Sequence, residues 1–297
     1  MNGHRKILFI INKFAGTRFT PLIAEQIAAA GEKYNAHCMT EFTQAPGHAT
    51  ELAASANRDA VDAVVAVGGD GTINETARGL LISKIPMGII PRGSGNGLAR
   101  HLGISISVDQ ALQNIFEGEP LPMDTFTLNG KLSLNVSGVG FDGHIANLFG
   151  GKTRRGLAGY ATLTMSEYLR FGEFNATVTA GNAQWKTRSF VLAIANSSQY
   201  GNNAYIAPAA SVTDGMLNLA ILRKVPAYRL DFVYSFFNRT IDQSEYCEVR
   251  PLESFRIETE TDIPFHVDGE PCGTARSFDI AINPAALPVI APKKTYS

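Results

Sequence analysis

The feature that most constrains this chain is Gly68-Gly69-Asp70-Gly71-Thr72, set directly behind the apolar run Ala63-Val64-Val65-Ala66-Val67. A run of small and β-branched residues ending in glycines reads as a buried strand that stops at a tight loop. Thr72 and Glu75 match the S/T-x-x-E capping box, so the spacing predicts a helix over Thr72–Ile82. Glycines at a strand-to-helix turn let backbone N–H groups approach a phosphate, and the helix N-terminus favours its negative charge. Asp70 would repel phosphate in such a cradle unless a divalent cation sat between them. The loop therefore implies a nucleotide site that uses Mg2+.

Its surroundings have the rhythm of an α/β unit. Strands are expected at Lys6–Ile11, Ala36–Phe42, Ala63–Val67 and Met87–Ile90. Helices are expected between them, at about Pro21–Tyr34 with Thr20 as N-cap, and at His48–Arg58. A second glycine loop, Pro91 to Asn96, follows the fourth strand and carries Gly93, Ser94, Gly95 and Asn96; Asn96 reads as the N-cap of a short helix. Asn12-Lys13-Phe14-Ala15-Gly16 is a third loop behind a strand, and Thr43 a weaker signal behind another. Neither glycine loop holds a Walker A lysine, which excludes a P-loop enzyme.

After Pro122 the pattern turns β-rich. Strands are expected at Lys131–Ser137, Phe174–Thr179, Ser189–Asn196, Met216–Leu222, Phe255–Thr259 and Ser277–Ile282, with helices at Gly156–Phe171 and Pro226–Asn238. The chain thus divides into an α/β nucleotide-binding domain, 1–122, rejoined by 285–297, and a β-sandwich domain, 123–284. Gly138-Val139-Gly140-Phe141-Asp142-Gly143 spells G-x-G-x-x-G but lacks the βαβ context of a dinucleotide site, which leaves Asp142 as a carboxylate lining a substrate cleft. Asp214-Gly215 reads as an ordinary turn. In His266-Val267-Asp268-Gly269-Glu270 a carboxylate could take a proton from an alcohol, or the segment could be a solvated hairpin tip.

A formal net charge of -1 argues against nucleic acid as a partner. Cys38, Cys247 and Cys272 are widely spaced, the pattern of free thiols in a reducing compartment. No apolar run approaches a transmembrane span, so a cytoplasmic location is expected. No serine sits in a nucleophile elbow and no histidines stand at metal spacing, so hydrolase and zinc chemistry lack support.

Together, Gly68–Thr72 with Asn74-Glu75, Pro91–Asn96 with Ala99-Arg100, Gly138–Asp142, Ile206-Ala207-Pro208 through Asp214-Gly215-Met216-Leu217, and Val267-Asp268-Gly269-Glu270 resemble the diacylglycerol kinase catalytic-domain family. The resemblance is to its bacterial lipid kinase branch, related to sphingosine and ceramide kinases, and covers nearly the whole chain. It implies an N-terminal α/β domain that binds ATP, a C-terminal β-sandwich, and an active site in the cleft between them. By resemblance Asn12, Lys13, Gly16, Thr43, Gly68, Gly69, Asp70, Gly71, Thr72, Asn74, Glu75, Gly93, Ser94, Gly95 and Asn96 fall where the family binds nucleotide. Asp70 would also organise phosphates and catalytic Mg2+, and Glu270 takes the place of the general base. Ser211, Asp214 and Met216 match a structural Mg2+ site. The family's first loop usually carries a proline where this chain has Lys13, and Gly97 stands where an acidic or small residue is frequent.

The implied reaction is phosphorylation of a lipid hydroxyl, such as that of diacylglycerol or a sphingoid lipid, by a protein that visits the membrane surface peripherally. Leu148–Arg155, an apolar step followed by three cations, reads either as a docking segment for an anionic interface or as a solvated loop. Oligomeric state stays open, a homodimer included. Two alternatives remain: a kinase for a soluble substrate such as NAD, and a catalytically silent lipid- or nucleotide-binding regulator.

Overall fold

Buried β-branched runs set the frame of the first unit. The computed structural model describes residues 5–15, 22–56, 60–149 and 157–293, with the backbone alone for 157–163 and 230. In chain order the elements are β1 (Arg5–Ile11), α1 (Leu22–Lys33), β2 (Ala36–Phe42), α2 (His48–Ser55), β3 (Ala63–Gly68), α3 (Asp70–Leu80), β4 (Met87–Pro91), α4 (Gly97–His101) and α5 (Val108–Glu117). There follow β5 (Glu119–Leu128), β6 (Lys131–Ser133), β7 (Val136–Gly140), α6 (Phe141–Phe149), α7 (Leu157–Arg170), β8 (Phe174–Ala180), β9 (Ala183–Ser189) and β10 (Val191–Ala195). The chain ends with β11 (Gln199–Gly201), β12 (Ala204–Tyr205), β13 (Leu217–Leu222), α8 (Leu230–Phe237), β14 (Cys247–Leu252), β15 (Phe255–Val267) and β16 (Glu270–Ala291). It divides into two compact units, Met1–Asp124 with Pro284–Ser297, and Thr125–Asn283.

In the first unit β2, β1, β3 and β4 lie side by side and parallel, and Val289 of β16 pairs with Met87 in the same sense. Every residue of β3 and β4 is buried, as helices on both faces of a parallel sheet require. The sheet path reverses at β1, with β2 on one side and β3 on the other. Ligands of such sheets bind outside the carboxyl ends of the strands at that reversal.

The second unit is antiparallel, in the order β14-β13-β10-β7-β15-β16, with β8 and β9 forming a hairpin on β15. Alternation on β10 explains its burial on both sides. Leu192 and Ile194 enter a core with Phe126, Val178, Ile257 and Phe278. Val191, Ala193 and Ala195 face a second cluster, against which Tyr168 and Phe171 near the end of α7 and Phe232 and Phe236 of α8 pack.

Several local expectations change. Helix α3 begins at Asp70, ahead of Thr72, with Gly69 as N-cap and no side-chain cap bond. Thr72 and Glu75 therefore do not form a capping box. Glu75 instead accepts the N–H groups of Gly47 (2.8 Å) and Ala49 (3.3 Å), so it caps the neighbouring helix α2. The run Lys131–Ser137 breaks into β6 and β7, because Leu134 and Asn135 turn their N–H groups onto Asp268. Helices α5 and α6 were not anticipated. Gly16, Thr20, Pro21, Arg58 and, in the candidate docking segment, residues 150–155 lie outside the described residues.

Candidate active site

Four strand ends meet at the carboxyl edge of the parallel sheet. Asn12, just past β1, donates its backbone N–H to Val67 O (2.9 Å) and its Nδ2 to Thr72 Oγ1 (3.0 Å). Its Oδ1 accepts the Phe14 N–H (2.9 Å), which folds the loop that carries Lys13. Thr43, just past β2, is buried and donates its N–H to Ile11 O (3.0 Å). These bonds bring Asn12, Thr43 and Thr72 around the start of α3.

The two glycine loops interlock at the same edge. Arg92 N–H reaches Gly68 O (2.7 Å), and a Cβ on Gly93 would stand 2.8 Å from the Gly69 Cα. Only glycine at position 93 permits that approach, and a Cβ on Gly69 would press on the Gly93 Cα at 3.2 Å, so the two loops meet glycine to glycine. Asn96 adopts the left-handed conformation (φ 51°, ψ 44°) as N-cap of α4. Its side chain turns back on Gly93, accepting the N–H and donating to the carbonyl, both at 2.8 Å. Its own N–H goes to Asp70 Oδ2 (3.1 Å), which couples the second loop to the first residue of α3. Gly71 and Ser94 remain exposed beside this cradle. Asn74 is buried and accepts from Arg78 (3.2 Å), while both Glu75 oxygens are occupied at α2.

The second unit sorts its carboxylates by role. Asp268 and Gly269, at φ 48° and 85°, form the two-residue turn between β15 and β16, as Asp-Gly does in primed hairpin turns. The Asp268 carboxylate accepts Ser133 Oγ (2.6 Å), Leu134 N–H (2.9 Å) and Asn135 N–H (3.0 Å). It is spent on holding the turn. Glu270, opposite Val267, is exposed. One rung below the turn, opposite Pro271, His266 is buried, its Nδ1 accepting the Gly269 N–H (3.0 Å) and its Nε2 facing Asp142 Oδ2 (3.2 Å). That pairing places the imidazole hydrogen on Nε2.

Asp142 is the hub of this network. Its Oδ2 also accepts the Tyr200 hydroxyl (3.2 Å), and its Oδ1 accepts the Gly143 N–H (2.8 Å). Burial, with the Asp142 carboxylate beside it, holds the Tyr200 phenol well above the ordinary tyrosine range. A Cβ on Gly138 would lie 1.8 Å from Asp142 Oδ2, so the glycine makes room for this carboxylate. The G-x-G-x-x-G spelling is thereby explained by packing, although a helix does follow the strand. Residue patterns single out neither the His266 imidazole nor Tyr200 as a functional group. Their one signal is that residues 266, 268 and 270 share a strand-and-turn register in which alternate side chains do different work.

Ser211, Asp214 and Met216 share one turn, in which Asp214 Oδ1 accepts the Met216 N–H (3.0 Å) and Ser211 Oγ lies 3.2 Å from Thr213 Oγ1. Among the described residues, no group of three or more His, Cys, Asp or Glu side chains gathers as a metal centre.

Residues 6–128 match the model for the diacylglycerol kinase catalytic domain, and 135–291 match that for the YegS C-terminal NAD kinase beta sandwich-like domain. The chain belongs to the diacylglycerol kinase catalytic-domain family. It is an ATP-dependent lipid kinase. Among similar curated proteins, a "probable lipid kinase YegS-like" of Chromohalobacter salexigens is 28% identical over 264 residues, covering 86% of this chain and 85% of the relative. Another of that name, from Yersinia enterocolitica, is 26% identical over 292 residues and covers 95% of each chain. A crystal structure of a diacylglycerol kinase from Bacillus anthracis shares the fold, with a TM-score of 0.76 at 19% identity over 99% of both chains.

Proposed function

We propose that this kinase transfers the γ-phosphoryl group of ATP to a hydroxyl of a membrane lipid, with Asp70 and the glycine loops holding the nucleotide and Glu270 accepting the hydroxyl proton. The observation that carries the nucleotide half is the glycine-to-glycine approach of two loops at the N-terminus of α3, where a side chain would fill the space. Asn12, Thr43 and Thr72 border that edge, and the exposed Ser94 offers a hydroxyl. The donor chemistry also fits Mg2+, which binds through one or two carboxylates together with phosphate oxygens and water. Asp70 would hold it beside the phosphates, where the ion offsets charge on the transferring group. The turn with Ser211, Asp214 and Met216 offers oxygen donors suited to a second, structural ion.

Glu270 suits the proton transfer because it is the exposed carboxylate of its hairpin, whereas Asp268 is committed to three donors. It takes the proton as the lipid oxygen attacks phosphorus in line, and the oxygen's electron pair forms the new P–O bond as ADP leaves. Asp142, bound to His266 and Tyr200, supports the acceptor side rather than entering the chemistry. The lipid acceptor implies peripheral contact with a bilayer. Among the described residues no helix is long and apolar enough to cross one.

Labelled ATP with a panel of diacylglycerol, monoacylglycerol, phosphatidylglycerol and sphingoid lipids in mixed micelles tests the reading, with lipid-free NAD as control. Glu270→Gln is expected to retain ATP binding and lose at least 100-fold in turnover, within the range for removal of a general base. Wild-type turnover in that variant removes Glu270 from the mechanism.

A further inference from the structure

Helix α8 carries apolar side chains on both of its faces. Its inner face is accounted for: Phe232 and Phe236 pack on the second core cluster, and Ser235 is buried. Its outer face leaves Val233, Tyr234 and Phe237 more than half exposed, and Tyr228, just ahead of the helix, is 80% exposed. Large apolar side chains scattered singly over a surface need no explanation, but several on one short segment do.

The exposed surface continues beyond the helix. Val225, Pro226 and Ala227, which lead into Tyr228, line a groove of about 520 Å³ with Tyr168 and Leu169 at its other wall. On that wall Met165 and Leu169, one helical turn apart on α7, are 55% and 64% exposed. Lys224 ties the two walls together by donating to the carbonyls of Leu169 (3.2 Å) and Phe171 (2.6 Å). The Tyr168 hydroxyl returns a bond to the Val225 carbonyl. The groove and its two exposed lips are therefore parts of one braced surface within the second unit.

Charge selects among the occupants. Between residues 223 and 239 stand Arg223, Lys224, Arg229 and Arg239 against a single carboxylate, Asp231, in a chain whose net charge is -1. Arg229 is paired with both Asp231 (2.9 Å) and Glu245 (3.2 Å), which leaves Arg223, Lys224 and Arg239 as the cations of this segment with no carboxylate ion-pair partner among the described residues. Two of the exposed aromatics are tyrosines, whose rings favour apolar surroundings and whose hydroxyls favour water. Apolar side chains flanked by cations, with tyrosines among them, match the boundary between acyl chains and anionic headgroups.

We propose that the outer face of α8 with the Met165–Leu169 lip of α7 is the surface by which this kinase docks on anionic bilayers. The proposal rests on the lipid acceptor of the proposed function, and it assigns the docking to residues that the catalytic machinery does not use. Val233 and Phe237 would enter the interface, Tyr228 and Tyr234 would lie at headgroup level, and the exposed Arg223 and Arg239 would face anionic lipid.

The test is sedimentation with vesicles of phosphatidylglycerol and phosphatidylcholine, comparing wild type with the double variant Val233→Ser/Phe237→Ser. Both positions are exposed, and a thermal melt checks that the variant is folded. The expected result is at least a tenfold loss of vesicle binding, a matching rise in KM for acceptor presented in vesicles, and unchanged turnover on a short-chain diacylglycerol below its critical micelle concentration. Wild-type vesicle binding in a folded double variant overturns the proposal. So does light scattering that shows a wild-type dimer split by the two substitutions while vesicle binding persists, because the face would then join two copies of the chain. Absence of wild-type activity on the short-chain lipid would count against the proposed reaction, and vesicle binding would still report on the docking face by itself.

Discussion

Replacing Asp268 by alanine separates structure from chemistry in a hairpin that carries two carboxylates. In the folded chain the Asp268 carboxylate receives one hydroxyl and two backbone N–H groups from Ser133, Leu134 and Asn135. Ser133 Oγ also lies 2.8 Å from Ser137 Oγ, so this hydroxyl keeps a partner when Asp268 is truncated. The two N–H groups do not, and each buried donor left unsatisfied costs about 1–3 kcal/mol. Alanine must also hold φ near 48°, a left-handed conformation that costs about 1–2 kcal/mol without a carboxylate to support it. The sum is about 3–8 kcal/mol, and at roughly 2–4 °C per kcal/mol the melting temperature should fall by about 6 °C or more. Asp268→Asn keeps one acceptor oxygen and the tolerance for left-handed backbone, so its loss should be about half as large. Glu270→Gln, at the exposed neighbour, should leave the melt unchanged while removing turnover. Thermal unfolding followed by circular dichroism, run beside the kinase assay, reads both effects. An Asp268→Ala protein that melts within about 2 °C of wild type would refute the assignment of this carboxylate to the turn, given that two buried N–H groups must lose their acceptor.

Other substitutions probe other parts of the fold. Gly93→Ala forces a Cβ to within 2.8 Å of both Gly69 Cα and Asn96 Oδ1, and should weaken ATP binding at least tenfold in a fluorescent-nucleotide titration with little change in far-ultraviolet circular dichroism. Burial pushes the Cys247 thiol up to about 12, so a thiol reagent at pH 8 should reach it only after denaturant is added; rapid labelling of the folded protein would contradict its placement. The same shift has a stability consequence, since the folded form keeps the proton that the unfolded chain releases near pH 9. Its stabilising contribution is complete below that pH and is lost as pH rises toward about 12, which urea titrations at pH 8 and 10.5 would show as a lower midpoint at the higher pH.

Much of this architecture could be read from residue patterns, and the failures have identifiable causes. The buried strands Ala63–Gly68 and Met87–Pro91 announce themselves because parallel sheet covered on both faces demands unbroken apolar or β-branched runs. The loops at Asn12, Gly68–Thr72 and Pro91–Asn96 were legible as a set, and the chain brings them to one sheet edge. The start of α3 was misplaced because Thr72 and Glu75 satisfy a local capping pattern, while the tertiary partner of Glu75 is a helix earlier in the chain. Helix α6 was hidden by the glycines at and before its first turn, which read as loop but serve packing: Gly143 faces the backbone of Phe265 with no room for a side chain. The division of labour between Asp268 and Glu270 could not be read locally, because the donors that occupy Asp268 lie more than a hundred residues away. The same holds for His266 and Asp142, which meet only when β15 pairs with β7.

The 22-residue strand β16 has a consequence for the order in which this protein can mature. It starts at Glu270 beside the hairpin turn and ends against β4, where Leu287, Val289 and Ile290 are fully buried in the first unit. A nascent chain that has emerged through residue 283 holds β1 to β4 and every glycine loop, but its sheet still exposes the edge that β16 will cover. That edge is a template for unwanted pairing until the last segment leaves the ribosome. The nucleotide-binding unit is thus the first to be synthesised and among the last to be completed. This arrangement delays completion of the first unit until the strand that follows the Asp268–Gly269 turn has been made.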